Sequence, residues 1–501
     1  CSARIRSGAM MNDSTVECQV QARCAAIDER IARGERPYET SIVVPCHPGA
    51  VLQEDISSLP DMQQLQDGVH ASDQPHQVMG RLLQVNDIGR LAFAFIRSDG
   101  IELQLCATAQ QPAALAALKA AALGDHVWAV GYAFRTRQGK RALLVTEARV
   151  VTPCVRPLPS KALLCDSAGA DVRWRAENAS ADMVLRPETL ATLRRRAAIV
   201  SAVRATLDQR GFIEVETRSL MRTASGATAE PFVAHHRASG EDVRLRIATE
   251  IELKRLVAGG LERVYELGRV YRNEGADRTH CPEFTTVELY HTGIDTPCMM
   301  MLVEDIIREA AYAAGCGPEL AGTLSAPIAY ERTTMRDAVL RLAEISHVPI
   351  QRAMSVVTWT EAVELSQYAH EQCGMPAGVS YGHALQGIFD RFVVPKLLRP
   401  TFVLRHPLEL SPLSAACPDD PMLADRFELY ANGMEIANGC AELTDPREQH
   451  RRMVRQGTVD EDLIRALELG LPPTAGCGIG IDRLCMLLLG ADRIADVMAL
   501  P

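Results

Sequence analysis

The apolar positions of this chain change period several times, and each change marks a boundary. Residues 15–34 are polar with a weak helical recurrence of Val16, Val20, Cys24, Ile27 and Ile31, which predicts an N-terminal helix. Residues 35–74 are rich in Pro, Ser, Asp and Gln and read as linker or loop. Short β-type runs follow at Val78–Leu83, Leu91–Ile96, Ile101–Cys106, Val127–Phe134 and Ala142–Val151. The turn residues Asp87-Ile88-Gly89, Ser98-Asp99-Gly100 and Gln138-Gly139 separate them, and an alanine-rich helix at about 112–123 interrupts the series.

Five strands and one helix over residues 75–158 suit a small barrel of the oligonucleotide-binding (OB) kind. Residues 159–186 read as a connector. A helix is predicted from Pro187-Glu188, where proline and an acid suit the first turn. Leu190, Leu193, Ala197, Val200, Val203 and Leu207 recur at helical spacing and predict its buried stripe, and Gly211 ends it. From there strand-like runs alternate with helices at about 300–314 and 360–373. Residues 187–501 therefore read as one large α+β domain.

Composition narrows the function classes. The net charge of −10 argues against a protein that coats nucleic acid non-specifically, which needs dense Lys and Arg, but not against one local basic patch. The 15 cysteines include no CxxC pair, so they read as reduced thiols and not as a zinc site or a disulfide framework. No apolar run approaches the roughly 18–20 residues that span a bilayer, so no membrane association is expected. Arg4 and Arg6, with no acid in the first twelve residues, fit either a presequence remnant or a start-site artefact.

Three stretches carry chemistry. A β-type run ending at Arg272, a polar loop Asn273–His280 and a second run from Glu283 make an antiparallel hairpin. Alternation puts Phe284, Thr286, Glu288 and Tyr290 on one face, suited to stacking a flat ring and binding a cation; the alternative is a solvent-facing edge. Asn432-Gly433 is a two-residue hairpin signal that pairs Tyr430 with Glu435 and sets Glu428 on the same face. Two such carboxylates call for a cation between them, and Mg²⁺ bridging to phosphate is the natural one. Asn438, Cys440 and Glu442 share a face opposite to Glu435 under strict alternation. For both sets to line one pocket, a β-bulge must lie between Glu435 and Asn438. Finally, Gly476-Cys477-Gly478-Ile479-Gly480-Ile481-Asp482-Arg483 is a glycine-rich strand entering a helix. Arg483 falls in the first turn, where its charge opposes the helix dipole and suits a phosphate partner.

At these residues the chain resembles the class II lysyl-tRNA synthetases. Gly268–Gly275 with Pro282–Thr285 resembles motif 2, Gly478–Arg483 motif 3, and Arg210–Thr217 motif 1. Asp425–Glu428, Glu435–Gly439, Glu442-Leu443, Asp445, Pro231-Phe232, His235-His236 and Leu253–Leu256 are similar to the lysine-specific version. The similarity spans about residues 20–500.

The resemblance implies an OB-fold anticodon-binding barrel, then a catalytic domain on a mostly antiparallel sheet flanked by helices. It implies ATP-dependent activation of L-lysine, transfer to the 3′ end of tRNA(Lys), Mg²⁺, and a homodimer in the cytoplasm or mitochondrial matrix. Arg272 and Arg483 are then the catalytic cations. Arg272 holds the α-phosphate and the lysine carboxylate. Glu274, His280 and Arg483 hold the nucleotide, Phe284 stacks under adenine, and Glu428 and Glu435 bind Mg²⁺. Glu442 pairs with the ε-ammonium and Tyr290 hydrogen-bonds it. Glu250, with backbone near Gly226, takes the α-amino group, Asn438 helps with the carboxylate, and Glu288 and Cys440 complete the pocket. Phe93 and Gln104 match anticodon-reading positions.

The chain departs from the family pattern at Arg218 (proline in motif 1), Glu230 (a basic residue), Cys281 (asparagine), Cys440 (an aromatic) and Val85-Asn86 (arginine). These departures put the dimer seam, the pocket packing and anticodon binding in question, but remove no charge required for adenylation. Three alternatives stand beside this reading. A protein-modifying lysyl ligase would lack the barrel. An aspartate or asparagine synthetase would need a basic pocket. A non-enzymatic paralogue would have lost Arg272 or Arg483.

Overall fold

The computed structural model describes residues 13–42, 48–61, 63–64, 75–158, 170–223, 226–227, 229–316, 330–342 and 359–500. The chain divides into two compact units at Ala191/Thr192, within the helix Pro187–Gln209.

In the first unit the N-terminal helix runs Asp13–Ala32. The expected strands form as β1 (His76–Asp87), β2 (Leu91–Ser98), β3 (Ile101–Thr108), β4 (His126–Arg135) and β5 (Arg141–Thr152). They close into a barrel of order β1-β2-β3-β5-β4, with the helix Pro112–Ala120 packed on its strands. Closure removes the unpaired edges that an open sheet of this size would expose. The linker reading of 35–74 needs correction. A helix at Pro48–Gln53 buries Val51, and Leu59 follows it into the barrel core beside Val78, Leu82, Ile96 and Leu105. Residues 43–47, 62 and 65–74 of that stretch lie outside the described residues, as do 159–169 of the connector. The rest of the connector is helical, Ala170–Glu177 and Ala179–Leu185.

The second unit is organised by a mostly antiparallel sheet. Its chain order is β6 (Ile213–Glu214), β7 (Leu220–Met221), β8 (Val233–His236), β9 (Glu241–Leu245), β10 (Arg263–Tyr271), β11 (Glu283–Thr292), β12 (Glu331–Thr334), β13 (Thr401–Leu404), β14 (Ala416–Cys417), β15 (Asp420–Ala424), β16 (Arg426–Ala431), β17 (Met434–Ala441) and β18 (Thr474–Gly480). Eight of these make one sheet of order β12-β13-β16-β17-β18-β11-β10-β6, parallel only at its two ends. β7-β9-β8 and β14-β15 form small separate sheets.

One face of the large sheet is apolar. Tyr265, Val287, Leu289, Phe427, Leu429, Cys477 and Ile479 bury against the helices Pro187–Gln209, Thr296–Ala313 and Ile481–Leu489. Period-2 alternation then sends Thr286, Glu288, Tyr290, Glu428 and the glycines of β18 to the other face. The predicted stripe of the first helix is right at Val203 and Leu207 but wrong at Ala197, which is exposed; Ile199 takes the buried position. The helices Met335–Leu342, Trp359–Cys373 and Tyr381–Ile388 form a satellite core on the β13 side.

Among the described residues no helix is long and apolar enough to cross a membrane. The described cysteines are free thiols, with Cys18, Cys24 and Cys298 exposed.

Candidate active site

The hairpin of the second stretch forms as expected from its turn. Asn432 and Gly433 have φ of 52° and 71°, and Tyr430 pairs with Glu435. The predicted bulge is present: Leu429 pairs with Ala437, leaving Ile436 extra. Ile436 and Ala437 consequently both enter the apolar core. Glu435 and Asn438 both turn to the polar face, and Asn438 comes opposite Glu428 and Gly478.

β18 supplies the floor. Its register sets Gly476 against Tyr290, Gly478 against Glu288 and Gly480 against Thr286. On its other side Gly476 meets Cys440. A methyl group at Gly476 would lie 2.3 Å from Glu442 Oε1 and 2.3 Å from Tyr290 Cε1. The glycine is what lets those two side chains converge over the strand. β11 lies between β10 and β18, so its polar face is not a solvent-facing edge.

The helix Glu250–Ala258 closes one end of this floor. Its first residue, Glu250, and Lys254 one turn on are bonded, Nζ to Oε1, at 2.6 Å. Lys254 also forms an ion pair with Glu442. Lys254 and Glu442 are 2% and 4% exposed. Gly226, at φ 94°, packs its Cα against Glu250, leaving 3.4 Å from a built Cβ to the Glu250 Cβ. The backbone N–H of Thr249 donates to Glu288 Oε1 at 3.0 Å. Cys440 Sγ lies 3.7 Å from Glu442 Oε1.

Burial pushes Glu442 up to about 7 against the pull of Lys254. Burial also pushes Glu288 up to about 7, the Thr249 N–H opposing and Glu250 reinforcing. Burial, with the same carboxylates, holds the Tyr290 phenol and the Cys440 thiol well above their ordinary values, so both are neutral donors. Lys254 stays protonated: burial works against its charge, but Glu250 and Glu442 outweigh it. This end of the site is a chamber lined by four ionisable oxygen-bearing side chains, Glu250, Glu288, Tyr290 and Glu442, around the Lys254 ammonium.

The other end is basic. Arg483, in the first turn of Ile481–Leu489, places Nη2 2.8 Å from His280 Nε2 and donates from Nη1 to the carbonyl of Glu435 at 3.1 Å. His280 Nδ1 is held by Asp277 at 2.8 Å. Asp277 is pulled down to about 2, first by the Thr279 N–H and then by His280. The guanidinium of Arg272 lies 5.1 Å from the Phe284 ring centroid and donates from Nε to Ile247 O at 3.3 Å. The start of the motif 3 helix is fixed by Asp482, which accepts from the Thr285 N–H at 2.6 Å and pairs with Arg196 at 2.6 Å.

Glu428 and Glu435 sit between the two ends. Burial works against the charge on Glu428, but its pKa is lowered, because Arg426 pairs with it and the Tyr430 hydroxyl donates to it at 2.6 Å. His406 faces the same carboxylate, but burial pulls it down to about 4, so it is neutral at pH 7 and Arg426 is the cation that counts. Burial and the neighbouring Glu428 raise Glu435. Asn438 is engaged with this pair, donating to Glu428 Oε1 at 3.3 Å and accepting from Arg426 Nε at 3.1 Å.

Of the predicted residues, Glu274 stands apart. It is exposed in the loop, tied back through its N–H to Arg272 O at 2.8 Å. The β-run before it ends at Tyr271, one residue earlier than expected. Phe93 and Gln104 lie in the barrel, on the strand face turned away from the Ala94, Ile96, Leu103 and Leu105 core. Both are half-buried, and Phe93 packs on Cys106, Phe134 and Leu144.

Lys254 and Arg426 fall within the lysine-specific stretches read from the sequence, but with no role assigned there. Arg426 is readable by alternation with Glu428, and Lys254 by its i,i+4 spacing from Glu250. The contact of Lys254 with Glu442 is tertiary and leaves no local signal.

Comparison with known proteins gives a consistent picture. A family model described as tRNA synthetases class II (D, K and N) matches residues 171–501. The chain is 37% identical over 476 residues to a lysine–tRNA ligase of Gloeobacter violaceus, covering 91% of this chain and 92% of the relative. It is 37% identical over 484 residues to the lysine–tRNA ligase of Thermosynechococcus vestitus, with 91% and 90% covered. With that of Leuconostoc mesenteroides subsp. mesenteroides the identity is 38% over 443 residues, covering 85% and 87%.

Proposed function

The chain belongs to the class II tRNA synthetases of the D, K and N family, and from that premise we propose that it activates L-lysine with ATP and transfers it to tRNA(Lys). The observation that carries the choice of amino acid is the buried Glu250–Glu288–Tyr290–Glu442 chamber. Three carboxylates face one resident cation, Lys254, so the chamber keeps a surplus of negative charge that repels an acidic substrate and that an amide or uncharged one cannot neutralise.

In the first step the lysine carboxylate attacks the α-phosphorus of ATP. A C–O–P bond forms, the bond to the β,γ-phosphates breaks, and pyrophosphate leaves. No general base is required, since the nucleophile is ionised at neutral pH. Arg272, on the hairpin, stabilises the charge that builds on the α-phosphate oxygens. Arg483 and His280 hold the nucleotide, and Phe284 offers a ring face to adenine. Glu442 and Tyr290 fix the ε-ammonium, Glu250 the α-ammonium, so that the carboxylate is presented in line. In the second step the terminal ribose hydroxyl of tRNA attacks the carbonyl carbon and AMP leaves.

The donor set fits Mg²⁺ arriving with the nucleotide. Burial and the neighbouring Glu428 raise Glu435, a strain that a cation between the two carboxylates would relieve, and Mg²⁺ takes one or two carboxylates together with phosphate oxygens. When bound, Mg²⁺ neutralises the pyrophosphate leaving group.

The same reading makes 75–158 the anticodon-binding domain, through Phe93 and Gln104, and 187–501 the catalytic domain. It also makes the enzyme a homodimer of the cytoplasm or mitochondrial matrix. Ile213 in motif 1 is an exposed apolar residue that a second copy could cover. The test is lysine-dependent exchange of pyrophosphate into ATP, followed by charging of tRNA(Lys). Exchange without charging would favour a ligase acting on protein.

A further inference from the structure

Glu250 and Glu442 are the two carboxylates assigned above to the two ammonium groups of the substrate, and one resident side chain touches both. Lys254 Nζ bonds Glu250 Oε1 at 2.6 Å and pairs with Glu442 Oε2. It comes from inside the helix whose first residue is Glu250, so one element delivers both an anion and its counter-cation. The side chain is almost wholly enclosed. A buried lysine is retained against its desolvation only by paired carboxylates, and two are present.

We propose that Lys254 is a positioning and specificity-determining residue of the lysine pocket, whose buried ammonium bridges Glu250 and Glu442 and fixes the charge and aim of their remaining oxygens. This inference rests on the lysine-activating reading. With Lys254 holding one oxygen of each carboxylate, the second oxygen of each, that of Glu442 with only the Cys440 thiol against it, is offered to a substrate cation. The helical turn fixes Glu250 to Lys254, and Lys254 ties Glu442 to that turn before any ligand arrives. Without the bridge two carboxylates share a buried space, and one must take up a proton. A protonated Glu442 cannot pair with an ammonium.

The groups facing Glu442 are Lys254 and Glu250 from the helix, Cys440 from its own segment and Tyr290 from β11, with Glu288 beside Glu250. Lys254 is the only cation in that set. Removing it therefore raises the proton affinity of Glu442, and lysine affinity is lost as pH falls through the raised value.

The experiment compares wild type with Lys254→Met, Lys254→Gln and Lys254→Arg in lysine-dependent pyrophosphate exchange between pH 6 and pH 9, with thermal melting as the folding control. In the Met and Gln variants the acid limb of lysine KM should move up by about one to two pH units, which is about 10- to 100-fold in KM at pH 6. The KM for ATP should stay within twofold, and Lys254→Arg should move the limb back towards wild type. A lysine KM with unchanged pH dependence in a folded Met or Gln variant would overturn the proposal. So would failure of both neutral variants to fold, which would assign Lys254 to stability alone. Absence of lysine-dependent exchange in wild type would instead sink the underlying reading.

Discussion

Gly476→Ala is the smallest change that probes how the pocket is built. The added methyl would sit 2.3 Å from both Glu442 Oε1 and Tyr290 Cε1, and 2.6 Å from Tyr290 Cδ1. Carbon contacts settle at about 3.5–4.0 Å, so relief needs more than about 1 Å of movement. The strand cannot retreat, because β18 is bonded on both sides, to β17 and to β11. The phenol and the carboxylate must move instead, and both are closely packed. Overpacking of this kind costs about 1–3 kcal/mol of stability. A displacement of about 1 Å at a positioning group can cost 10²-fold, so lysine KM should rise by about 10- to 100-fold. The ATP KM should stay within twofold, since the basic end is untouched. Gly478→Ala is the internal control: its methyl would meet only Glu288 Cγ, at an ordinary 3.5 Å, and should be far milder. The assay is pyrophosphate exchange with each substrate varied in turn, beside thermal unfolding. A Gly476→Ala enzyme with wild-type lysine KM and stability would refute the convergence of Glu442 and Tyr290 on this strand.

Four further outcomes are expected. Arg272→Gln should lower kcat for exchange by about 10²–10³-fold, measured under saturating substrates, because a donor to developing phosphate charge is lost. Lysine KM in wild type should rise as pH falls below about 7: Glu288 and Glu442 have pKa values raised to about 7, so acidification protonates them and removes the partner of the ammonium. A flat profile between pH 6 and pH 8 would contradict the chamber. Asp482→Ala leaves the Thr285 N–H without its acceptor and Arg196, still held by Val497 O and Thr285 Oγ1, without its counter-charge, and should destabilise by about 1–3 kcal/mol in denaturant titration. Phe93→Ala should weaken tRNA charging by about 1–3 kcal/mol in kcat/KM while leaving pyrophosphate exchange unchanged.

The parts of this fold that were legible in the sequence are those set by local rules. The Asn432-Gly433 turn fixes the pairing of Tyr430 with Glu435. The polarity of Glu435 and Asn438 on one pocket then requires a bulge, and Ile436 supplies it. The five barrel strands follow from alternation between turn residues. What stayed hidden depends on the rest of the fold. Val51 and Leu59 sit in a polar stretch that reads as linker, and only the barrel makes them core. Ala197 fits the helical period but is turned away from the sheet that decides which face is buried. Lys254 lies in a lysine-specific stretch, but its partner appears only when Glu442, far along the chain, is brought beside it. A charge shows in sequence while its tertiary partner does not.

The most direct test of the central claim is amino-acid-dependent pyrophosphate exchange by the purified protein, run with lysine and with aspartate and asparagine, for wild type and Glu442→Gln. Exchange with lysine alone, lost in Glu442→Gln while ATP still binds, is the predicted result. No exchange with lysine, exchange driven by aspartate or asparagine, or wild-type turnover in Glu442→Gln would contradict the lysine chamber described above.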